Sequence, residues 1–386
     1  MRVLVTGGAG YIGSVVAAQL VAAGHEVIVL DDLSTGHADA VPAGATFVKG
    51  TLRDCAAEVL ADGIEAVLHF AAKALVAESV AEPARYWSTN LGSTLTLLEA
   101  MREIGVRTII FSSTCAVYGE PDRTPIEETD PTRPTNPYGA TKLAVDTALT
   151  ELARLYGFGA VSLRYFNVAG AHRAVGGAWS GERHNPETHL IPAVLASVTA
   201  GRRVQIFGGD YATPDGTCVR DYIHVTDLAD AHLRALAACQ PGGHRIYNLG
   251  HGTGFSVREV IDVCREVTGR DIGADVVPRR PGDPAVLVAS SARIRAELGW
   301  HAVKDLRAMA ADAWAYTQAR GAFPGGSQGG AGGRAVPPYG GSRGGAGGRA
   351  VPPYGGSPGG AGGRAVPPYG GSPGGRPPGG NTVPPG

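Results

Sequence analysis

The sequence predicts a doubly wound α/β fold, a parallel sheet with helices on both faces, joined to a smaller C-terminal domain and a low-complexity tail. Two observations carry the sheet. Short runs rich in valine, isoleucine and leucine alternate with helix-like stretches up to about residue 166. Those runs are apolar almost throughout, without the alternation of a half-exposed strand, so both of their faces must be covered. A third observation fixes the start of the sheet: the first run enters its helix through TGGAGYIG, residues 6–13, a turn dense in glycine.

Taken in order, RVLV (2–5) is the first strand. YIGSVVAAQLVAAG (11–24) has helical spacing and ends at Gly24, a helix stop. EVIVL (26–30) and ATFVKG (45–50) are the second and third strands, and a polar helix then leads to AVLHFAA (66–72). A helix is expected around 83–104, a strand at TIIFSS (108–113), a helix over 138–156 and a strand at AVSLRYF (160–166). Strand–helix–strand crossovers of one hand wind such a sheet outward in both directions.

Beyond Phe323 the composition changes. GGAGGRAVPPYGGS recurs every 15 residues, with tyrosines at 339, 354 and 369. Such a stretch cannot bury enough apolar surface to offset its ordering entropy, so residues 322–386 are expected to be disordered, with no partner assigned. Five tail arginines and no tail acid turn the chain's net charge of −1 into −6 over residues 1–321. That mildly acidic body lacks the basic face of a nucleic-acid binder. Five scattered cysteines without a CxxC fit reduced thiols. No signal peptide is expected at the N-terminus, and the longest apolar run is too short to span a bilayer. A cytoplasmic protein with no membrane partner is the expectation.

Gly7, Gly10 and Gly13 are spaced three apart between the first strand and its helix. A pyrophosphate needs backbone N–H groups and a helix N-terminus close by, and side chains would block that approach. In this context the pattern reads as a Rossmann dinucleotide site. Asp31 ends the second strand, where a carboxylate accepts from ribose hydroxyls and repels a 2′-phosphate, and no lysine or arginine occurs between Asp31 and Phe47. NAD is favoured over NADP. Tyr138 and Lys142 lie four apart at the start of the helix that follows the fifth strand, so they share a face. A phenol is a poor base at neutral pH. The expectation is that the Lys142 ammonium and the positive nicotinamide ring lower its pKa. Thr114, at the end of the fifth strand, supplies a hydroxyl to the same corner. The trio reads as a general acid/base unit beside a hydride carrier.

The glycine turn, FSST (111–114) and YGATK (138–142) together resemble the extended short-chain dehydrogenase/reductase family. HFAAKALVAESV, FSSTCAVYGEP, LRYFNVAGA, THLIP, DGTCVRDYIHVTDLADAH, YNLGHGTGFSV and RRPGDPAVLVA are similar to the UDP-glucose 4-epimerase branch of that family, in its order, over about residues 1–320. The resemblance implies interconversion of UDP-glucose and UDP-galactose through a 4-keto sugar, with transient hydride transfer to tightly held NAD. It implies a cofactor-binding region over 1–167 with a return segment near 217–240, and a UDP-sugar region mainly over 168–321. It places Tyr11, Ile12, Asp31, Asp32, Leu33, Ser34, Thr35, Gly36, Thr51, Leu52, Phe70, Ala71, Ala72, Lys73, Ala74, Asn90 and Phe166 at NAD, with Thr114, Tyr138 and Lys142. It places Asn167, His189, Leu190, Gln205, Ile206, Phe207, Arg220, Arg280, Asp283 and Leu287 at the UDP-sugar, again with Thr114 and Tyr138. Arg220 and Arg280 suit that role, because a guanidinium forks onto phosphate oxygens.

Three positions depart from many relatives. Thr51 replaces an aspartate that reaches the adenine amino group, Ala74 replaces a lysine, and Leu287 replaces a tyrosine beside the hexose. Other UDP-sugar epimerases of the family are the alternative. A nucleotide-sugar 4,6-dehydratase is disfavoured, since it needs an acid and a base after Thr114, where Cys115 and Ala116 stand. Relatives are often homodimers. No metal is expected: His184 and His189 show no carboxylate or cysteine at ligand spacing and read as a loop histidine and a substrate-pocket histidine.

Overall fold

The computed structural model describes residues 1–185, 187–280 and 282–321. The repeat tail expected over 322–386 lies outside the described residues. Along the chain run β1 (Arg2–Thr6), α1 (Tyr11–Ala22), β2 (Glu26–Asp31), β3 (Thr46–Lys49), α2 (Leu52–Ala61) and β4 (Ala66–His69). α3 (Val76–Ala81) and α4 (Pro83–Tyr86) follow, and a π-helical stretch (Trp87–Gly92) joins α4 to α5 (Ser93–Ile104). Then come β5 (Thr108–Thr114), α6 (Pro137–Tyr156), β6 (Gly159–Tyr165), β7 (Asn167–Ala169), β8 (Ala171–Arg173) and β9 (Trp179–Gly181). α7 (Leu190–Ala200), β10 (Val204–Phe207), β11 (Val219–His224), α8 (Val225–Ala238) and β12 (Gly243–Leu249) lead into the last part. There β13 (Gly254–Ser256), α9 (Val257–Thr268), β14 (Ala274–Val277), β15 (Val286–Leu287), α10 (Ala292–Leu298) and α11 (Leu306–Gly321) complete the order.

Seven strands form one sheet in the order β12-β6-β5-β4-β1-β2-β3, every neighbouring pair parallel. The apolar strands behave as the sequence requires. Val3, Val5, Val27 and Val29 pack on one face with Val16 and Leu20 of α1 and Leu228 of α8. Leu4, Ile28 and Leu30 pack on the other with Leu60 of α2, Leu97 of α5 and Leu149 of α6. From β1 the chain winds one way to β2 and β3 and the other way to β4, β5 and β6. The order therefore reverses between β1 and β4, which opens a crevice at their carboxyl ends. A second core joins Val194 and Leu195 of α7, Val260 and Ile261 of α9, and Met309 of α11 to Val204 and Ile206 of β10.

Three elements differ from the sequence reading. The helix expected over 83–104 is α4, a π-helical stretch and α5, and that stretch carries the buried Asn90. The strand expected over 66–72 stops at His69: Phe70 N donates to Thr6 O at 2.9 Å as the last bond of the β1–β4 ladder, and Ala71 already belongs to the loop against Gly7. The seventh strand, β12, pairs with β6 from Gly243↔Gly159 to Leu249↔Tyr165. Its exposed edge gives HRIYNL a mixed polar pattern that hides it from an apolar-run reading.

α6 is fastened to the sheet through a buried ion pair. Arg164 of β6 donates to Asp146 of α6 at 2.9 Å, with side chains 4% and 3% exposed. Ser113 of β5 also donates to Asp146, at 3.2 Å, and Arg164 donates to the Tyr118 hydroxyl at 3.0 Å. Tyr118 in turn donates to Asn248 of β12 at 2.7 Å. Removing one partner strands a buried charge, so Asp146→Ala should destabilise the protein by about 3–5 kcal/mol in urea unfolding. Asp146→Leu combined with Arg164→Leu should cost clearly less than Asp146→Ala alone. A double variant as unstable as the sum of its single changes would show that the pair does not act as a unit.

Candidate active site

The three glycines of the first turn are needed for different reasons. Gly7 has φ +71°, and a Cβ there would sit 2.6 Å from Ala71 N in the loop after β4. A Cβ at Gly13 would sit 2.3 Å from Gly7 O, so this glycine lets α1 press against the turn. Gly10 is different. Its backbone, at φ −82° and ψ 173°, suits any residue, and an added Cβ would meet only Gly7 O, at 3.3 Å. Nothing within the protein demands glycine at that position. The space it leaves lies at the N-terminus of α1, which no side chain caps. The turn therefore fits a phosphate-bearing ligand held by backbone N–H groups.

Asp31 closes the turn from β2. Its Oδ2 accepts from Ala9 N at 3.0 Å and its Oδ1 from Leu33 N at 2.8 Å. Burial raises its pKa above the ordinary carboxylate value, opposed by those two backbone N–H groups. Leu33, at φ +60°, is the one non-glycine residue in the left-handed region among the described residues. Asp32 accepts from Ser34 N at 2.8 Å, and a Cβ at Gly36 would sit 2.9 Å from the Asp31 carboxylate. Thr35 lines a cleft with Gly10 and Tyr11. The Tyr11 hydroxyl donates to Gly170 O at 2.7 Å, while Ile12 packs on the sheet core.

Phe70 to Ala74 form the loop that faces this turn. Asn90 holds the loop in both directions: its Oδ1 accepts from Lys73 N at 2.8 Å and its Nδ2 donates to Lys73 O at 2.9 Å. Its side chain thus positions the loop. Thr51 is the N-cap of α2, accepting from Asp54 N at 3.2 Å and donating to Asp54 Oδ2 at 2.7 Å. A helix cap explains this threonine without an adenine contact. Leu52 is buried behind it.

The Tyr138 corner is set by α6. Asn136 caps the helix by accepting from Gly139 N at 2.9 Å, and Pro137 occupies its first turn. A Cβ at Gly139 would sit 2.4 Å from Ala116 O. This glycine lets α6 close onto the turn after β5 and brings the Tyr138 phenol beside the Thr114 hydroxyl. Thr114 also accepts from Ala116 N at 3.2 Å. Lys142 is 3% exposed; its Nζ donates to Ser112 O at 2.8 Å and lies 4.8 Å from the centre of the Phe111 ring. Burial pushes the Lys142 pKa down to about 7, against the pull of Asp146. Burial pushes Tyr138 up to about 12, only partly offset by Thr114. The expected lowering of the phenol by Lys142 is therefore not what the ligand-free geometry gives. The ammonium is turned to Ser112 O, and desolvation governs both groups.

On the sugar side, Arg220 of β11 pairs with Asp283, so two residues expected at one ligand bind each other here. Arg220 stands opposite Leu287 in the β11–β15 pairing. It also acts on Cys115, whose thiol burial pushes up to about 11. Leu287 and Cys115 pack on a small core with Phe166, Val117 and Tyr118, which joins this strand pair to the Tyr138 corner. Asn167 pairs with Tyr222 where β7 meets β11. Arg280 lies 3.8 Å from the centre of the Phe207 ring. Gln205 is exposed, whereas the Ile206 side chain is buried in the second core and leaves only its backbone for a ligand. His189 is the N-cap residue of α7 and Leu190 its first residue.

Some important residues escape the sequence reading. Asp221 is fully buried and accepts from His251 N, Gly252 N and Ala289 N at 2.8–3.0 Å, tying the β12–β13 loop and the segment after β15 to β11. Burial raises its pKa to about 6. The statement that His184 and His189 lack carboxylate partners is also corrected: Glu182 and Glu187 lie beside both.

Comparisons with known proteins agree with this geometry. Residues 3–250 match the model of the NAD dependent epimerase/dehydratase family. The chain is 54% identical over 324 residues to a UDP-glucose 4-epimerase of Corynebacterium glutamicum, covering 83% of this chain and 97% of that protein. It superposes on the crystal structure of UDP-glucose 4-epimerase from Brucella ovis in complex with NAD with a TM-score of 0.77 at 44% identity, covering 82% of this chain and 98% of that one. The Bifidobacterium longum enzyme, solved with NAD+ and UDP, gives a TM-score of 0.78 at 38% identity over 83% and 99% of the two chains. With a glycine turn at the switch point and a tyrosine–lysine pair beside it, the chain belongs to the NAD-dependent epimerase/dehydratase family.

Proposed function

We propose that the protein interconverts UDP-glucose and UDP-galactose by epimerisation at C4, with Tyr138 as the acid/base and NAD held at the glycine turn. The observation that carries this reading is the Tyr138–Thr114 corner at the carboxyl end of β5, beside the β1–β4 crevice. Bound NAD⁺ supplies a hydride acceptor and one positive charge. Gly7, Gly10 and Gly13 and the α1 N-terminus hold its pyrophosphate, and Asp31 faces its adenosine ribose. A positive charge beside the phenol opposes the desolvation that holds Tyr138 near 12 and favours the phenolate. Tyr138 then takes the proton of the sugar 4-hydroxyl, with the Thr114 hydroxyl sharing the hydrogen bond. The same group returns the proton once the sugar has turned over. Lys142, fixed at Ser112 O, is assigned to the hydroxyls of the cofactor's nicotinamide ribose.

The sugar must be loose while the nucleotide is held, so binding strength belongs on UDP. Arg220 and Arg280 are assigned to its phosphates, with Asp283 releasing Arg220 when the ligand arrives. Asn167, His189, Leu190, Gln205, the Ile206 backbone and Phe207 are assigned to the rest of the nucleotide, and Leu287 to the hexose. We assign residues 1–167, with the return segment near 217–240, to the cofactor side and most of 168–321 to the sugar side. A homodimer through α5 and α6 accounts for exposed Leu95, Ile104, Leu155 and Tyr156 on those helices. Among the described residues no helix is long and apolar enough to cross a membrane. The five cysteines are free thiols, which supports a reducing, cytoplasmic setting.

Tyr138→Phe removes only the phenolic oxygen. It should fold and retain NAD while conversion of UDP-galactose falls by about 10² to 10⁴. Epimerisation at the parent rate in that variant would remove Tyr138 from the role.

Lys142 adds a pH signature to the cofactor-free protein. Its folded pKa of about 7 lies below its ordinary value of 10.5. The folded state gives up the proton first, so its burial penalty is complete below pH 7 and relieved as pH rises toward 10.5. Stability should therefore gain with pH across that window relative to Lys142→Met, measured by urea unfolding at matched pH values. Parallel pH profiles for the two proteins would contradict the shift.

A further inference from the structure

The loop between β9 and α7 carries Glu182, His184, Glu187 and His189, a spacing of E-x-H-x-x-E-x-H that plays no part in the proton chemistry above. His189, assigned above to the nucleotide, enters this cluster through Nδ1, which leaves its Nε2 for that role. One donor atom from each side chain lies within 4.8 Å of all the others. His189 Nδ1 is 2.7 Å from Glu182 Oε1 and 3.4 Å from Glu187 Oε1. His184 Nδ1 is 3.2 Å from Glu182 Oε1 and 3.8 Å from Glu187 Oε2. A tetrahedral metal with bonds of about 2.0–2.1 Å spaces its ligand atoms about 3.3 Å apart; the nitrogen–oxygen separations run from 2.7 to 3.8 Å, with Glu187 turning a different oxygen to each imidazole.

Without a metal, Glu182 and Glu187 hold both imidazoles protonated, raising His184 to about 9 and His189 to about 10, so an ion that binds here must displace two protons. Neither imidazole Nδ1 is aimed so as to form a hydrogen bond, although both are buried. The Glu182 side chain is 7% exposed, and its Oε2 is buried with no hydrogen-bond partner. The charge that faces this carboxylate is that of the two imidazolium rings, and a divalent cation would supply the same two charges once they lose their protons. Glu187 is already oriented: its oxygens accept from the backbone N–H groups of His184, Thr188 and His189 at 2.9–3.3 Å. Backbone donors of this kind fix a ligating carboxylate from behind.

We propose that Glu182, His184, Glu187 and His189 bind one divalent transition metal of the zinc class. Two imidazoles and two carboxylates suit such an ion and neutralise it. All four protein ligands are supplied, so the ion is structural. It clamps the loop to the start of α7, where His189 is the N-cap residue. The same loop lies on the cofactor turn. Arg183 donates to Asp39 at 3.0 Å, the Arg183 carbonyl faces His37 Nε2 at 3.1 Å, and His184 lines the cleft with Gly10 and Tyr11. The metal thus fixes one wall of the dinucleotide cleft.

The test is metal content and its coupling to stability. Full-length protein, its affinity tag removed, is purified from zinc-supplemented cells and analysed by inductively coupled plasma mass spectrometry. About one zinc per chain is expected, falling to about a tenth or less in Glu182→Gln combined with His184→Ala. A chelator should lower the melting temperature of the parent protein, and zinc should restore it, with neither affecting the double variant. Cobalt added to the chelated parent protein should give the visible bands of a tetrahedral centre, a readout that stands even if the double variant fails to fold. Background metal in the parent with no thermal shift on adding zinc, cobalt or manganese overturns the site. So does undiminished metal in a folded double variant.

Discussion

Because the inner strands of the seven-stranded sheet are covered on both faces, their polar side chains gather toward the ends of the strands. Thr6, Asp31, His69, Thr114 and Tyr165 are the last residues of β1, β2, β4, β5 and β6. His69 shows how tightly that edge is organised. Thr94 Oγ1 donates to Asn90 O, so it accepts from His69 Nε2, and Thr6 must then donate to Nδ1. Burial holds this histidine neutral, with its pKa near 3. One side chain thereby joins the two strands that flank the crevice to the helix behind them. The Asn90 that receives the Thr94 bond also grips the loop facing the glycine turn. The dinucleotide cleft is in this sense an extension of the sheet edge.

α6 carries the other half of the arrangement. Tyr138, Lys142 and Asp146 are four residues apart and share one face. Tyr138 meets Thr114, Lys142 meets the β5 backbone, and Asp146 anchors the helix through Arg164. Desolvation weighs on Lys142 and on the half-buried Tyr138, and the Asp146–Arg164 pair and the close approach at Gly139 hold both in place. A loosened α6 would let Tyr138 drift from Thr114, so the Asp146 anchor also sets the geometry of the proposed acid/base corner. Burial holds the lysine low and the tyrosine high, and a positive charge at this corner would favour the phenolate.

What was legible in the sequence is what is local. Gly7, Gly10 and Gly13 act within one turn, and Tyr138 and Lys142 within one helical turn, so spacing alone exposed them. Asp221 was not legible, because its backbone partners lie 30 to 68 residues away and nothing in RDYIH announces them. β12 was hidden by its polar edge. Thr51 is a helix cap whose partner, Asp54, stands three residues on, a local role separate from the adenine contact that the resemblance concerns. Glu182 and Glu187 escaped because an irregular loop has no period from which to read a shared face. Arg220 and Asp283 were both placed at the ligand, but their mutual pairing is a tertiary fact that sequence spacing does not carry.

The account stands or falls on a site that carries its own hydride acceptor and returns the hydride to the same sugar carbon. The most direct measurement incubates the purified full-length protein with UDP-galactose and no added cofactor, identifies the nucleotide-sugar formed, and identifies the dinucleotide released on denaturation. UDP-glucose as the product, with NAD and not NADP in the released fraction, is the result this account predicts. A folded protein that holds NAD yet leaves UDP-galactose unchanged, or that releases a dehydrated sugar instead, would contradict it.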